Sequence, residues 1–252
     1  LGCGHCEFCL AGEQVHCADY SGIARAGRGA DAEWTVIPEP YCYHLPAELS
    51  FVEGTFIACT GATAYGSLRK LTPSGRDTLA VFGLGPVGLS HILVAKALGA
   101  RVIGVDVLSE RLAFARQLGA DETVNAGQDD PAAAIRALTR GRGAEMAVEA
   151  TGNAKAQAQA VQAVCVHGKV SYVGRSHGAP AISPEPLILK EVTLMGSAVL
   201  PGHLYWELTR FMLDRRVRFE AIVTQRRPLE EGPQAFTEFD AGGPGKFVLA
   251  ME

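Results

Sequence analysis

The chain has 252 residues, of which 48% are hydrophobic and 20% charged, and its formal net charge at pH 7 is −4. This length allows a large apolar core in one or two domains, and the mild charge favours neither a nucleic-acid nor an anionic-membrane partner. No apolar run is long enough to span a bilayer, and the seven cysteines suit a reducing cytoplasm. We therefore expect a cytoplasmic globular protein.

The first element predicted along the chain is a metal-binding loop. Cys3, Cys6 and Cys9 follow one another at two-residue gaps, and Cys17 comes after seven more residues. Each Cys-x-x-Cys turn points two thiolates at a common centre, and four thiolates complete the tetrahedral shell of Zn²⁺. Because no position is left for water or substrate, the spacing predicts a structural zinc. The alternative is disulfides or free thiols, which two-residue spacing disfavours.

A glycine-rich turn follows residues 79–82, a short apolar run typical of a buried parallel strand. Gly83, Gly85 and Gly88 fill the pattern G-x-G-x-x-G. Its first glycine permits the turn, its second lets a pyrophosphate approach the backbone, and its third lets the helix pack on the strand. Pro86 can open that helix, where its missing N–H costs nothing. The pattern predicts a dinucleotide whose pyrophosphate lies at the helix N-terminus.

Asp106 ends the next predicted strand, residues 101–105. An acid about 20 residues past the glycines is the residue that binds a ribose 2′-hydroxyl. Val107 and Leu108 offer no charge to a 2′-phosphate, and Asp106 would repel one. The sequence therefore predicts NAD rather than NADP.

The later segments alternate between helix and strand. Ser109 is the expected cap of a helix that ends at Gly119, and Asp130 and Pro131 open another. Further elements are predicted as strands near 122–125, 145–150, 169–173 and 192–195, a helix over 154–164, one amphipathic helix from about 205, and a last strand at 246–250. This alternation predicts an α/β fold with a doubly wound parallel sheet.

These motifs resemble those of the zinc-containing medium-chain dehydrogenase/reductases, the family of alcohol and polyol dehydrogenases. The likeness rests on the cysteine loop together with VFGLGPVGL, and is supported by ACTGATAYGSL (58–68), VEATGN (148–153) and the closing GKFVL. It implies a Rossmann NAD-binding domain at 61–203. It also implies the remaining part of a mainly-β catalytic domain at 1–60, with a structural zinc lobe at 1–18, to which residues 204–252 return.

In the family, a stretch before the cysteine loop supplies two catalytic zinc ligands and a hydroxyl of the proton relay. A chain that starts at Leu1 is therefore expected to be N-terminally truncated and inactive by itself. The resemblance implies that Cys59 is the third catalytic zinc ligand, although a lone cysteine in an apolar stretch is also typical of a buried thiol.

The resemblance implies cofactor contacts as well. Thr63 and Val87 would touch the nicotinamide, and Arg111 would reach the adenosine ribose. The alternatives are an ordinary helical threonine at Thr63 and a solvated arginine on the helix surface at Arg111. The remaining cofactor contacts lie at predicted strand ends or near the C-terminus: Thr151, Gly152, Val173, Gly174, Gly196, Ser197 and Lys246.

These patterns predict a zinc-dependent oxidoreductase that transfers a hydride between an alcohol or polyol and NAD. Its expected partners are a small-molecule alcohol, aldehyde or ketone and further copies of itself, as a dimer or tetramer. Three alternatives stay open. They are a non-catalytic NAD-binding protein with a structural zinc, a zinc-independent quinone or enoyl reductase of the same fold, and a zinc-ribbon interaction module. The cysteine loop disfavours the second, and the large cofactor domain disfavours the third.

Overall fold

A parallel sheet of six strands, in the order β3-β2-β1-β4-β5-β6, forms the centre of the described chain. The computed structural model describes residues 2–21, 29–175 and 182–251. Neighbouring strands of this sheet all pair in parallel. The strands are β1 (Thr78–Phe82), β2 (Arg101–Asp106), β3 (Glu122–Asn125), β4 (Ala144–Glu149), β5 (Val164–Tyr172) and β6 (Thr193–Gly196).

Helices connect these strands and flank the sheet. Those before and within the sheet region are α1 (Glu7–Leu10), α2 (Phe51–Ile57), α3 (Thr60–Leu71), α4 (Pro86–Ala97), α5 (Ser109–Gln117), α6 (Pro131–Leu138), α7 (Ala154–Ala163) and α8 (Pro184–Leu189). After the sheet come α9 (Tyr205–Arg215), β7 (Val223–Pro228), α10 (Gly232–Asp240) and β8 (Lys246–Ala250). Within the described ranges, none of the helices has the length and hydropathy needed to cross a bilayer.

Apolar clusters cover both faces of the sheet, as the doubly wound prediction requires. Successive strand residues point to opposite faces, so Leu79 and Val81 of β1 join the cluster that contains α3 and α4 residues. Ala80 and Phe82 join the cluster on the other face, with residues of α6 and α7. The predicted α/β fold with a parallel Rossmann sheet is thus confirmed.

The strand order reverses beside β1, which lies between β2 and β4. In open α/β sheets, the crevice at such a reversal, outside the carboxyl ends of the strands, is where ligands bind. The turns after β1, β2, β4, β5 and β6 are therefore the part of the fold that positions a site.

Two local predictions were wrong. Ser109 does not cap α5: it is the first helical residue, and Leu108 occupies the N-cap without a side-chain cap bond. The Leu108 carbonyl accepts the Leu112 N–H at 3.1 Å, so the helical hydrogen bonds begin one residue before Ser109. Strand β5 begins at Val164, directly after α7, and not at residue 169. A bulge in its pairing with β4, with His167 at φ +60°, makes the first half of β5 irregular. These residues therefore lack the regular alternation that predicts a strand.

The prediction for residues after 205 missed one strand and one helix. Strand β7 pairs in parallel with β8 to form a separate two-stranded sheet. Its sequence, VTQRRP, alternates between half-buried and exposed positions, and its two arginines and terminal proline weaken the strand signal. Outside the six-stranded sheet, β7 and β8 are the strands that the described part of the chain contributes.

The C-terminal segment packs against α2 and α3. The rings of Phe56 and Phe219 stack with their centroids 5.7 Å apart, and Gly61 makes room, since a Cβ there would lie 2.6 Å from the Phe219 ring. The buried carboxylate of Glu53 accepts the backbone N–H groups of Phe219 at 3.0 Å and of Glu220 at 3.1 Å. Residues near position 220 are therefore held to the helices that precede the sheet.

Loss of the Glu53 carboxylate should destabilise the fold. Glu53→Ala leaves the two N–H groups without acceptors, and each unsatisfied buried donor costs about 1–3 kcal/mol. We expect the free energy of unfolding, measured by urea denaturation, to fall by about 2–5 kcal/mol. Glu48→Ala, at an exposed position, is the matched control and should stay within about 0.5 kcal/mol of wild type. A Glu53→Ala variant as stable as that control would contradict this account.

Candidate cofactor and metal sites

The four cysteines of the N-terminal loop converge on one point. The sulfurs of Cys3, Cys6, Cys9 and Cys17 lie within 4.8 Å of one another, and those of Cys3 and Cys9 are 4.0 Å apart. Zn–S bonds of about 2.3 Å in tetrahedral geometry place sulfurs about 3.8 Å apart. The cluster therefore fits a single Zn²⁺ held by four thiolates.

Backbone N–H groups shape the charge of this cluster. The N–H groups of His5 and Cys6 lower the pKa of the Cys3 thiol to about 6. At Cys6, the Cys9 backbone N–H lowers the pKa, but desolvation and the neighbouring thiols outweigh it and raise the value to about 11. Four thiolates so close together repel one another, and a bound cation removes that repulsion.

Two hydrogen bonds dock the cysteine loop onto the rest of the chain. Tyr41 donates its hydroxyl to the Gly2 carbonyl at 2.7 Å, and the Gly202 N–H donates to the Gly12 carbonyl at 2.9 Å. Gly12 has φ +77°, in the region that favours glycine. The loop is thus tied to the segment that leads from β6 into α9.

The glycine-rich turn after β1 has the shape expected of a pyrophosphate site. A Cβ on Gly83 would collide with Thr151, and one on Gly88 with the Gly83 carbonyl, whereas a Cβ on Gly85 would meet nothing within 4 Å. The first and third glycines are therefore required by packing, and the middle one faces open space. Helix α4 begins at Pro86 with no side-chain cap, so the N–H groups of its first turn are available to an anion.

Asp106 is fixed in place by backbone donors. Its Oδ2 accepts the Leu84 N–H at 2.7 Å, and its Oδ1 accepts those of Val107 at 2.8 Å and Leu108 at 3.0 Å. A carboxylate offers about four acceptor sites, so about one is left for a ligand hydroxyl. Arg111 lies beside it, with Nη1 at 3.9 Å from Oδ2.

His91 supports the residue at the head of α4. It is fully buried, and burial lowers its pKa to about 4, so the imidazole is neutral at neutral pH. Its Nδ1 donates to the Val87 carbonyl at 2.8 Å. No sequence pattern predicts this role, because a lone histidine in a helix has no partner at a recognisable spacing.

The turns after β4 and β5 meet around a buried carboxylate, Glu149, which the sequence reading did not single out. Glu149 accepts the N–H and hydroxyl of Thr151 and the N–H of Gly152. Burial raises its pKa in spite of those bonds. The Glu149 carbonyl accepts the N–H groups of Val173 at 2.9 Å and Gly174 at 3.0 Å. The signal available was a second acid directly after the apolar residues MAV in the strand sequence EMAVEA.

Residues at the end of β6 complete this edge of the sheet. The Ser197 N–H donates to the Tyr172 carbonyl at 2.9 Å, which sets Gly196 and Ser197 beside the end of β5. The Ser197 hydroxyl oxygen is buried and has no hydrogen-bond partner in the described structure. An unpaired buried hydroxyl at a ligand edge suits a polar group of a bound molecule.

Cys59 and Thr63 lie at the start of α3. Cys59 is the N-cap residue and its thiol is exposed, and Thr63 donates its hydroxyl to the Cys59 carbonyl at 2.9 Å. Among the described residues, the four-cysteine cluster is the one group of three or more potential metal ligands that converge. Cys59 is therefore not joined by a second and third ligand in those ranges. Lys246 Nζ lies 5.9 Å from the centroid of the Phe56 ring.

We expect the 252-residue chain to bind one Zn²⁺ tightly, in its four-cysteine cluster. The measurement is metal analysis of purified protein, followed by chelator competition. Cys17→Ser should weaken zinc binding by about 100-fold or more, because one of four thiolates is lost. Cys42→Ser changes an exposed thiol outside the cluster and should bind zinc as the wild type does. Zinc-free protein, or unchanged affinity in Cys17→Ser, would refute the site.

Comparisons with known proteins agree with this geometry. The sequence profile of the zinc-binding dehydrogenases matches residues 86–214. The chain is 33% identical over 252 residues to an uncharacterised zinc-type alcohol dehydrogenase-like protein of Escherichia coli K12, covering 98% of this chain and 71% of that protein. It is 34% identical over 243 residues to an NAD-dependent alcohol dehydrogenase of Sulfurisphaera tokodaii, covering 95% and 69%.

Solved structures of dehydrogenases also superpose on this chain. An alcohol dehydrogenase from Thermus sp. ATN1 superposes with a TM-score of 0.89 at 30% identity, covering 100% of this chain and 75% of that one. Galactitol-1-phosphate dehydrogenase from Escherichia coli superposes with a TM-score of 0.88 at 26% identity, covering 99% and 75%. With its parallel Rossmann sheet, glycine-rich turn and cysteine cluster, this chain belongs to the zinc-containing medium-chain dehydrogenase/reductase family of oxidoreductases.

Proposed function

We propose that the protein transfers a hydride between an alcohol or polyol and NAD, and that it carries a structural Zn²⁺ in its four-cysteine cluster. The observation that carries the cofactor proposal is the pairing of an open Gly85 with a fixed Asp106 carboxylate. The relatives include a protein named as an NAD-dependent alcohol dehydrogenase, which supports the same cofactor.

NAD would lie across the carboxyl edge of the sheet. Its pyrophosphate would rest on Gly83, Gly85 and the first turn of α4, and its adenosine ribose would donate a hydroxyl to Asp106. The nicotinamide half would lie at the other end of the crevice, against Thr63, Val87, Thr151, Gly152, Val173, Gly174, Gly196 and Ser197. The buried Ser197 hydroxyl has no hydrogen-bond partner in the described structure, so it is able to bond a polar group of the cofactor.

Cys59 would contribute one thiolate to a catalytic zinc. The chemistry that such an ion supplies is Lewis-acid activation of the substrate hydroxyl. Catalytic zinc sites use three protein ligands, and in the described ranges Cys59 belongs to no converging group of three or more candidate ligands. We therefore propose that the 252 residues by themselves bind NAD without oxidising alcohols.

The lack of a converging group of three or more candidate zinc ligands at Cys59 in the described ranges favours a second candidate function. This is an NAD-binding protein with a structural zinc and no turnover. The two functions share the cofactor site and differ in whether Cys59 takes part in chemistry.

We also propose the domain division at residues 61–203, with the flanking segments belonging together. It is supported by the Phe56–Phe219 stack and by the bonds from Glu53 to residues 219 and 220. We propose that Lys246 faces the cofactor phosphate. We also propose that the protein is a cytoplasmic homo-oligomer whose substrate is a small alcohol, aldehyde or ketone.

Alcohol-dependent NADH production tests this proposal. It is measured for the gene's full product and for the 252-residue chain, with zinc supplied and over a panel of alcohols and polyols. We expect turnover by the full product, its loss with chelator, and a fall of about 100-fold or more in Cys59→Ser. Cys42→Ser is the control for an exposed thiol.

Each contrary outcome points to a different reading. Chelator-resistant turnover with an active Cys59→Ser variant would favour a zinc-independent reductase. NAD binding without turnover in the full product would favour the non-catalytic protein. Equal turnover by the 252-residue chain would show that the catalytic ligands lie within it.

A further inference from the structure

The segment between α10 and β8 is held from two sides. The Gly243 carbonyl accepts the Arg111 Nε–H at 3.0 Å, and the Pro244 carbonyl accepts the Thr224 hydroxyl at 3.0 Å. Gly242 and Gly245 have φ +93° and +79°, a conformation that favours glycine. The segment thus joins α5, which lies beside the Asp106 carboxylate, to the two-stranded sheet of β7 and β8.

Arg111 is the point at which the two regions meet. Its guanidinium binds the Gly243 carbonyl through Nε and lies with Nη1 3.9 Å from the Asp106 carboxylate. The Arg111 side chain is 25% exposed and that of Asp106 is 6% exposed, so the pair is only weakly screened by solvent. A ribose hydroxyl that donates to Asp106 would share the carboxylate with the guanidinium, and would thereby change how the guanidinium holds the Gly243 carbonyl.

Contacts continue from this segment towards α2. Lys246 follows it directly and places Nζ 5.9 Å from the centroid of Phe56. Phe56 belongs to α2, which ends at Ile57, two residues before Cys59. A continuous set of contacts therefore leads from Asp106 through Arg111 and Gly243 to the helix that precedes Cys59.

We propose that Arg111 couples the binding of the NAD ribose at Asp106 to the order of residues 242–250. It is a positioning residue, and this role rests on the proposed NAD site. Coupling of this kind is reciprocal: NAD stabilises the segment, and the segment strengthens NAD binding. Cofactor binding is then expected to order β8, and with it the two-stranded sheet that β8 forms with β7.

Hydrogen exchange in the absence and presence of saturating NAD tests the coupling. NAD binding itself is confirmed first by calorimetry for each protein. In wild type we expect saturating NAD to slow exchange over residues 242–250 by about fivefold or more. Arg111→Met should lose this slowing at saturation and bind NAD about fivefold or more weakly. Arg116→Met removes an exposed arginine of the same helix and should behave as wild type.

The outcomes separate this inference from the cofactor proposal. NAD that binds wild type without slowing exchange at 242–250 overturns the coupling alone, as does full slowing in Arg111→Met. A wild-type protein that does not bind NAD overturns the cofactor site and the coupling together. Even if Arg111→Met does not fold, NAD that binds wild type without slowing exchange at 242–250 still overturns the coupling.

Discussion

The carboxylate of Asp106 is the group on which the candidate site most depends. It stands at the end of β2 and accepts three backbone N–H groups, one from the glycine-rich turn after β1 and two from the start of the next loop. Charge-assisted bonds of this kind are stronger than neutral ones. The residue expected to bind the ribose therefore also fixes the turn expected to bind the pyrophosphate, so a substitution meant to change cofactor choice also affects the shape of the turn.

The opposite side of the turn has a similar arrangement. Glu149, at the end of β4, accepts N–H groups from Thr151 and Gly152, and Thr151 packs where Gly83 has no Cβ. Because β1 lies between β2 and β4, buried carboxylates on the two neighbouring strands hold the loops on both sides of the glycine-rich turn. The crevice is thus shaped by the protein's own hydrogen bonds, which reduces the ordering that a ligand must impose.

Local spacing in the sequence predicted much of the fold. The cysteine gaps, the three glycines and Asp106 each follow from a short pattern, and the strands around them follow from apolar runs. Contacts between residues distant in sequence had no such pattern. Arg111 binds a carbonyl 132 residues away, and Glu53 binds the N–H of Phe219 166 residues away. Strand β7 was missed because its arginines and proline obscure the alternation. The position of Ser109 was wrong because the helical hydrogen bonds already begin at the Leu108 carbonyl.

We propose that the fixed Asp106 carboxylate, beside an open glycine-rich turn, selects NAD over NADP. Calorimetric titration of the wild-type protein with NAD and with NADP, at one pH and one salt concentration, tests it most directly. We expect NAD to bind about tenfold or more tightly than NADP, because a 2′-phosphate would meet the carboxylate's charge and would lack the hydroxyl that donates to the carboxylate. Equal affinity, or tighter binding of NADP, would contradict it.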